Sequence, residues 1–225
     1  MTDTAPENRR PLKSRQTGWA RRLAAWVARL GVSPDEVSAA SMAFAALGAL
    51  LFVLAGVGEG LQRAAALIGA GACVQLRLLC NLLDGMVAVE HGRGSPAGPI
   101  WNELPDRIAD ALFLVGAGYC VVASGVAVGG WLGWLAALAA VLTAYVRELG
   151  RGLGFPADFA GPMAKPHRMA ALTASCLVAA VEPLWGWRGQ ALAIGLAVIC
   201  LGAAWTFVRR TRTLAARLNA AKKDQ

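Results

Sequence analysis

The sequence predicts an all-α integral membrane protein with six transmembrane helices and an N-terminal interfacial amphipathic helix. Of the 225 residues, 56% are hydrophobic and 16% are charged, a composition typical of membrane proteins. Apolar segments of roughly 20 residues recur, and a helix of that length crosses the hydrocarbon core of a bilayer. We therefore expect one membrane domain over residues 17–208, between a polar basic tail over 1–16 and a basic cytoplasmic tail over 209–225.

The amphipathic helix is predicted over residues 17–31. The apolar residues Trp19, Leu23, Trp26 and Leu30 recur there at helical intervals, whereas the arginines lie largely on other faces. This pattern is typical of a helix that lies in the membrane interface. The preceding tail lacks an apolar segment followed by a small-residue cleavage site, so we do not expect a signal peptide.

The six spans are predicted at about residues 37–57, 64–89, 104–125, 131–150, 169–186 and 190–208. The short connections after the first, third and fifth spans carry few cations. Both tails and the segments 90–103 and 151–168 carry most of the Arg and Lys. The positive-inside rule therefore predicts a multi-pass protein of the cytoplasmic (inner) membrane with both termini in the cytoplasm.

The net charge of +8 lies mainly beside the predicted spans. Such flanking charges favour anionic membrane lipids over nucleic acid as partners. The five cysteines fall inside apolar segments without close pairs, which argues against a disulfide framework or a zinc site. Small-residue runs such as AAALIGAGA permit close helix packing, either within the chain or in a homodimer.

Acidic residues gather where the second span ends and the third begins. On a helix Arg77, Asn81 and Asp84 share one face, and Ala88 follows on it. The segment GRGSPAGP then breaks the helix. In the third span the acids at positions 103, 106 and 110 also share one face.

Clustered carboxylates near hydrocarbon need a cation to hold them together. Oxygen ligands suit Mg²⁺ or Mn²⁺, and a hard divalent cation at a cytoplasmic membrane face suggests phosphate chemistry. The alternative is a set of interfacial charges paired with arginines such as Arg77 and Arg107. A single aspartate would favour that alternative, whereas the whole spaced set favours a metal site.

The spacing resembles the signature of the CDP-alcohol phosphatidyltransferase family, D-x-x-D-G-x-x-A-R followed after a gap by G-x-x-x-D-x-x-x-D. Asp84, Gly85 and Ala88 match the first part, and Asp106 and Asp110 match the last two aspartates. The six spans are similar too, and the segment VSPDEVSAASM over residues 32–42 is similar to the T-P-N-x-x-T motif before the family's first span.

This resemblance implies a site with two divalent ions that holds the pyrophosphate of CDP-diacylglycerol. It implies Asp84 and Asp106 as metal ligands and Asp110 as general base and further ligand. Gly85 and Ala88 would leave room for the nucleotide. The implied reaction moves a phosphatidyl group to an alcohol acceptor and releases CMP, in phospholipid synthesis.

Three positions depart from the signature. Asn81 replaces the first aspartate, Val89 the arginine and Asn102 the second glycine. Asn81 offers a neutral oxygen, so we predict that Glu103, one turn before Asp106, supplies the missing charge near the metals. These departures leave open an alternative, a catalytically impaired member that acts as a lipid-binding or regulatory membrane protein. A small transporter with an intramembrane acidic site is a weaker alternative.

The segment between the fourth and fifth spans is basic. Its GPMAKPHR resembles the family's G-P-M-G-K-x-x-R. Lys165 and Arg168 lie about one helical turn apart, and with Arg77 and Arg151 we predict that they bind phosphate or the acceptor. Contact with lipid phosphates is the alternative for these side chains.

Overall fold

The computed structural model describes residues 17–90 and 96–223, and this part of the chain is helical without a strand. Seven α-helices follow one another within it: α1 Gly18–Arg29, α2 Pro34–Val57, α3 Gly60–Glu90, α4 Gly98–Ala123, α5 Gly129–Gly152, α6 Lys165–Val181 and α7 Gln190–Lys223. A 3₁₀ turn, Glu182–Trp185, follows α6. The tail over 1–16 and the centre of the loop after α3 lie outside the described residues.

Each of the six predicted spans coincides with one helix, α2 to α7. Four of these helices, α2, α3, α5 and α7, are long and apolar enough to cross a membrane by length and composition. The other two predicted spans correspond to α4 and α6. Helix α4 carries charged residues in its first half, and α6 is shorter, with 17 residues. The all-helical prediction is confirmed, while the count of six crossings and the interfacial place of α1 stay predictions.

The start of α2 is fixed by its own sequence. Ser33 Oγ accepts a hydrogen bond from the Glu36 backbone N–H at 3.2 Å, and Glu36 Oε2 accepts one from the Ser33 N–H at 2.7 Å. This reciprocal arrangement is a capping box, which satisfies two backbone donors that a helix end otherwise leaves open. It sets the register of the first turns of α2, which carry Ser38 towards α3.

A buried ion pair ties the helices together at one end of the bundle. Arg63, near the start of α3, donates to the carbonyl of Ala55 at 2.7 Å, to Ser124 Oγ at 2.8 Å and to Glu182 Oε1 at 3.1 Å. Glu182 Oε2 accepts from the backbone N–H of Ala191 at 3.0 Å. The contacts therefore join the ends of α2, α4 and α6 to the starts of α3 and α7.

The acids identified in the sequence lie at the opposite end of the same helices. Arg63 and Asp84 are separated by about 31 Å along α3, taking 1.5 Å per residue. This is close to the thickness of a hydrocarbon core, which is about 30 Å. The bundle therefore has two polar ends with an apolar middle, where Phe52, Phe113 and Leu196 are fully buried.

Helix α1 packs on the acidic end. Its buried side chains Ala20, Ala24 and Val27 form a small core with Leu83 and Met86 of α3. Trp19 and Trp26 on its other side are more than half exposed, at 54% and 56%. The helix thereby supports the last turns of α3, which carry Asp84.

Helices α4 and α5 approach each other backbone to backbone. A Cβ atom added at Gly118 would lie 2.6 Å from the carbonyl oxygen of Gly129 and 2.9 Å from Gly133 Cα. One added at Gly133 would lie 2.8 Å from the carbonyl oxygen of Leu114. Because backbone atoms cannot move aside as a side chain can, these positions admit only glycine.

We expect Gly118→Ala to destabilise the protein by about 1–3 kcal/mol, the usual cost of overpacking, because α4 and α5 must separate. Thermal unfolding in detergent micelles measures this as a lower midpoint. Gly152→Ala is the matched control, since a Cβ atom there meets nothing within 4 Å. Equal midpoints for the two variants would contradict the close packing.

Candidate functional site

Four helices, α2, α3, α4 and α6, meet at the acidic end. Asp84 lies in the last two turns of α3, and Asp106 and Asp110 lie in the first half of α4. Lys165 and Arg168 come from the first turn of α6. The structure thus brings together the acids of α3 and α4 with two cations that are more than 50 residues away in sequence.

Asp84 is buried, with 5% of its surface exposed. Its Oδ2 accepts a hydrogen bond from Ser38 Oγ at 2.6 Å. Its Oδ1 is also buried but has no hydrogen-bond partner among the described residues. One oxygen of this carboxylate is therefore held in place and the other remains available to a ligand.

Asp106 is surrounded by donors. Its Oδ1 accepts from Arg77 Nη2 and from Asn81 Nδ2, the latter at 2.6 Å. Its Oδ2 forms an ion pair with Lys165 Nζ. Both oxygens of this carboxylate are thus engaged by the protein.

Asp110 is almost fully buried, at 1% exposed. Its Oδ2 accepts from Arg168 Nη2 at 2.6 Å. Its Oδ1 is buried and makes no hydrogen bond within the described part of the chain. Like Asp84, it has one oxygen fixed by a neighbour and one available.

The buried charges of the site balance. Three acids, Asp84, Asp106 and Asp110, face three cations, Arg77, Lys165 and Arg168. Desolvating an ion is costly unless a partner compensates it, so this balance explains how the cluster exists between apolar helices. Several donors remain without a hydrogen-bond partner among the described residues, namely Nε and Nη1 of Arg77 and Nε of Arg168.

The donor set fits a hard divalent cation. The available atoms, Oδ1 of Asp84 and Oδ1 of Asp110, are carboxylate oxygens, which Mg²⁺ and Mn²⁺ prefer. Across residues 17–90 and 96–223, no three side chains of His, Cys, Asp or Glu are grouped closely enough to hold a metal by themselves. A cation here would need further ligands from substrate or water.

Two predicted site residues have partners elsewhere. Glu103 Oε1 accepts from Arg147 at 2.6 Å, and Oε2 contacts both Arg147 and Arg107. Arg151 is 41% exposed and pairs with Glu148 at 2.8 Å. Glu103 therefore pairs with Arg147 and Arg107. Arg151 pairs with Glu148 at the surface. The predicted metal role of Glu103 and phosphate role of Arg151 stay predictions.

The remaining predicted residues lie along α3. Arg77 and Asn81 reach Asp106, as described above, while Gly85 and Ala88 continue the helix past Asp84 and are half-buried. Arg77 is 1% exposed, so its charge belongs to the cluster rather than to the surface. The side chain of Asn102 lies outside the described residues.

Ser38 is a site residue that the sequence prediction did not name. The signal for it was present, because Ser38 aligns with the last threonine of the T-P-N-x-x-T motif. A hydroxyl at that position faces Asp84 across the α2–α3 interface and donates to it. The motif thus has a direct structural purpose, which is to orient the first aspartate of the site.

Comparison with known proteins gives one curated relative and several solved structures. No protein-family model matches the chain. The "Bifunctional IPC transferase and DIPP synthase" of Rubrobacter xylanophilus is 35% identical over 135 residues, which are 58% of this chain and 27% of that protein. The matched region is thus about a quarter of the length of that relative.

The solved structures show the fold. The Mycobacterium tuberculosis phosphatidylinositol phosphate synthase PgsA1 with manganese and citrate superposes with a TM-score of 0.70 at 21% identity, covering 87% of this chain and 88% of that one. The same synthase with CDP-DAG bound also gives 0.70, covering 92% of its chain. The chain described here therefore has the fold of this synthase.

We expect Arg168→Met to destabilise the protein by about 3–5 kcal/mol, because it leaves the buried charge of Asp110 unpaired. Adding Asp110→Asn should restore part of the loss. Thermal unfolding in detergent micelles measures both effects.

Arg151→Met is the matched control for this experiment. It removes the same kind of side chain from an exposed pair and should cost less than about 1 kcal/mol. Equal losses for the two arginine variants, or no rescue by Asp110→Asn, would contradict the buried pair.

Proposed function

We propose that this protein is a CDP-alcohol phosphatidyltransferase, which moves a phosphatidyl group from CDP-diacylglycerol to an alcohol acceptor and releases CMP in phospholipid synthesis. One observation carries the proposal. Among the described residues, the same cluster contains acceptors without a partner on Asp84 and Asp110 and donors without a partner on Arg77 and Arg168. Unpartnered acceptors suit a cation and unpartnered donors suit an anion, and a metal-bound pyrophosphate supplies both.

The comparisons support the proposal in two ways. The motif resemblance in the sequence is matched by a fold likeness to a synthase that has been solved with CDP-DAG and, separately, with manganese. The relative from Rubrobacter xylanophilus is named a transferase and synthase. Neither relative determines which alcohol this chain uses.

Asp110 is proposed as the general base. Arg168 holds Oδ2, so Oδ1 faces the site with two lone pairs, one for a cation and one for the acceptor hydroxyl. The hydroxyl oxygen attacks the phosphorus of the phosphatidyl group, and its proton passes to Asp110. The bond from that phosphorus to the bridging oxygen of the pyrophosphate breaks, and CMP leaves with that oxygen.

Asp84 is proposed as the second residue that binds Mg²⁺ or Mn²⁺, oriented by Ser38. A divalent ion held there would neutralise the pyrophosphate and the departing CMP. Arg77 and Lys165 bind Asp106 and add positive charge beside the phosphates. Gly85 and Ala88, with small side chains past Asp84, leave space for the nucleotide.

The membrane arrangement follows from the same end of the bundle. We propose six crossings by α2 to α7, with α1 in the interface and both termini in the cytoplasm of an inner membrane. Among the described residues, the basic segments before α2, between α5 and α6, and in the C-terminal part of α7 lie at the acidic end, so the positive-inside rule favours a site at the cytoplasmic face. At that face the site is open to the polar CDP headgroup of the lipid and to a soluble acceptor.

A homodimer remains a weaker proposal. Small residues of α7 already have partners in the chain, because a Cβ atom at Gly195 would meet Ser175 Oγ and one at Gly202 would lie 2.8 Å from Met163 Cε. These glycines therefore serve packing within the chain. Any dimer would use other surfaces.

The activity is tested with the purified full chain in lipid nanodiscs, with Mn²⁺ or Mg²⁺, CDP-diacylglycerol and a panel of alcohols. The panel should include glycerol 3-phosphate, other phosphorylated polyols and their unphosphorylated forms. We expect CMP release with at least one acceptor, measured by chromatography, and its loss on chelation of the metal. Binding of CDP-diacylglycerol without CMP release for any acceptor would favour the lipid-binding alternative.

Asp110→Asn should lower CMP release by about 100-fold or more, because a general base typically contributes at least that much. Asp158→Asn is the matched control. The Asp158 carboxylate accepts a hydrogen bond from the backbone of Ala160 in the loop before α6, so its loss should leave the rate nearly unchanged. An active Asp110→Asn variant would remove Asp110 as the base.

A further inference from the structure

We propose that the site binds one divalent cation, with Asp84 and Asp110 as its protein ligands, and that the ammonium group of Lys165 replaces a second cation beside Asp106. This inference rests on the proposed function and concerns the metal content of the same site. It differs from the pair of ions that the sequence resemblance implies. The reasons are the contacts of Asp106, the identity of residue 81 and the charge of the cluster.

Asp106 is the most heavily engaged of the three acids. Arg77 and Asn81 occupy Oδ1, and Lys165 occupies Oδ2. A divalent ion on Oδ2 would share that oxygen with the Lys165 ammonium group and would be repelled by it. Asp84 and Asp110 differ, because each has one buried oxygen without a partner among the described residues.

Asn81 explains why a second ion is not required. Its amide donates to Asp106 at 2.6 Å, and the reversed amide would place its oxygen against a carboxylate oxygen, so the donating orientation is the stable one. An aspartate at this position would instead place a second carboxylate beside Asp106. That repulsion would need another cation to hold both acids. The asparagine removes the repulsion and with it the need for the cation.

Lys165 already supplies positive charge at the centre of the acids. Its Nζ pairs with Asp106 and lies within electrostatic range of Asp84 and Asp110. The side chain is 15% exposed, so its charge is poorly screened by water. A second divalent ion at Asp106 would be repelled by this ammonium group and by the neighbouring Arg77.

The charge of the cluster also favours one ion. Among the described residues, the three acids and three cations of the site cancel, so one divalent ion gives the site two positive charges. The pyrophosphate of a CDP-linked lipid is a diester with two ionised oxygens, which this charge neutralises. Two divalent ions would leave the complex with an excess of positive charge in an apolar bundle, which is costly.

The test is the number of Mn²⁺ ions bound by the purified full chain in nanodiscs without substrate, followed by electron paramagnetic resonance. We expect one Mn²⁺ per wild-type chain and a spectrum free of coupling between ions. Asn81→Asp should bind a second Mn²⁺ and show spin–spin coupling to the first. Asn219→Asp is the matched control, because this exposed residue of α7 undergoes the same change outside the site.

Lys165→Met provides a second, independent variant. If the ammonium group replaces an ion, its removal should raise the number of Mn²⁺ ions above one per chain, whereas retention of a single ion would count against that role. Two coupled ions in the wild-type chain, or none, would overturn the proposal. Thermal unfolding verifies that each variant is folded before its ions are counted.

These outcomes are separable from those of the activity test. A chain that binds two ions and releases CMP would overturn the single-ion inference and leave the proposed function intact. A chain that binds one ion and releases no CMP with any acceptor would overturn the proposed function. The ion count in Asn81→Asp does not depend on turnover, so it reports on the site even in an inactive variant.

Discussion

The balance of buried charge at one end of the bundle is the constraint on which the rest of the structure depends. Asp84, Asp106 and Asp110 lie between apolar helices, where an unpaired carboxylate is expensive. Arg168 pairs with Asp110 and Lys165 with Asp106, so the start of α6 must reach α4. The loop before α6 and the packing of α6 on α3 are therefore tied to the chemistry of the site.

The opposite end of the bundle holds the helices in register without carrying reactive groups. Arg63 and Glu182 are both buried, pair with each other and bind backbone or hydroxyl partners from the surrounding helix ends. The two polar ends are separated along α3 by about 31 Å, which is close to the thickness of a hydrocarbon core. One end stabilises the fold, and the other retains carboxylate oxygens that have no partner among the described residues and that a ligand can use.

The departures from the family pattern are consistent with one another once the contacts are known. Asn81 gives up a negative charge but gains a donor to Asp106. Lys165 and Arg77 then complete the surroundings of that aspartate. With a neutral residue at position 81, the three acids of the site still face an equal number of cations among the described residues.

The sequence by itself determined the helices, the faces that carry the acids and the family resemblance, because the helical period and the lengths of the apolar runs are local properties. It also placed Asp84, Asp106 and Asp110 at the same end of two antiparallel helices. Only the tertiary structure decided which cation meets which acid, since these contacts depend on how helices rotate and slide against each other. Nothing in the sequence indicated that Glu103 would meet Arg147, which is 44 residues away. Lys165 and Arg168 were expected to bind phosphate, and packing brings them onto the acids themselves.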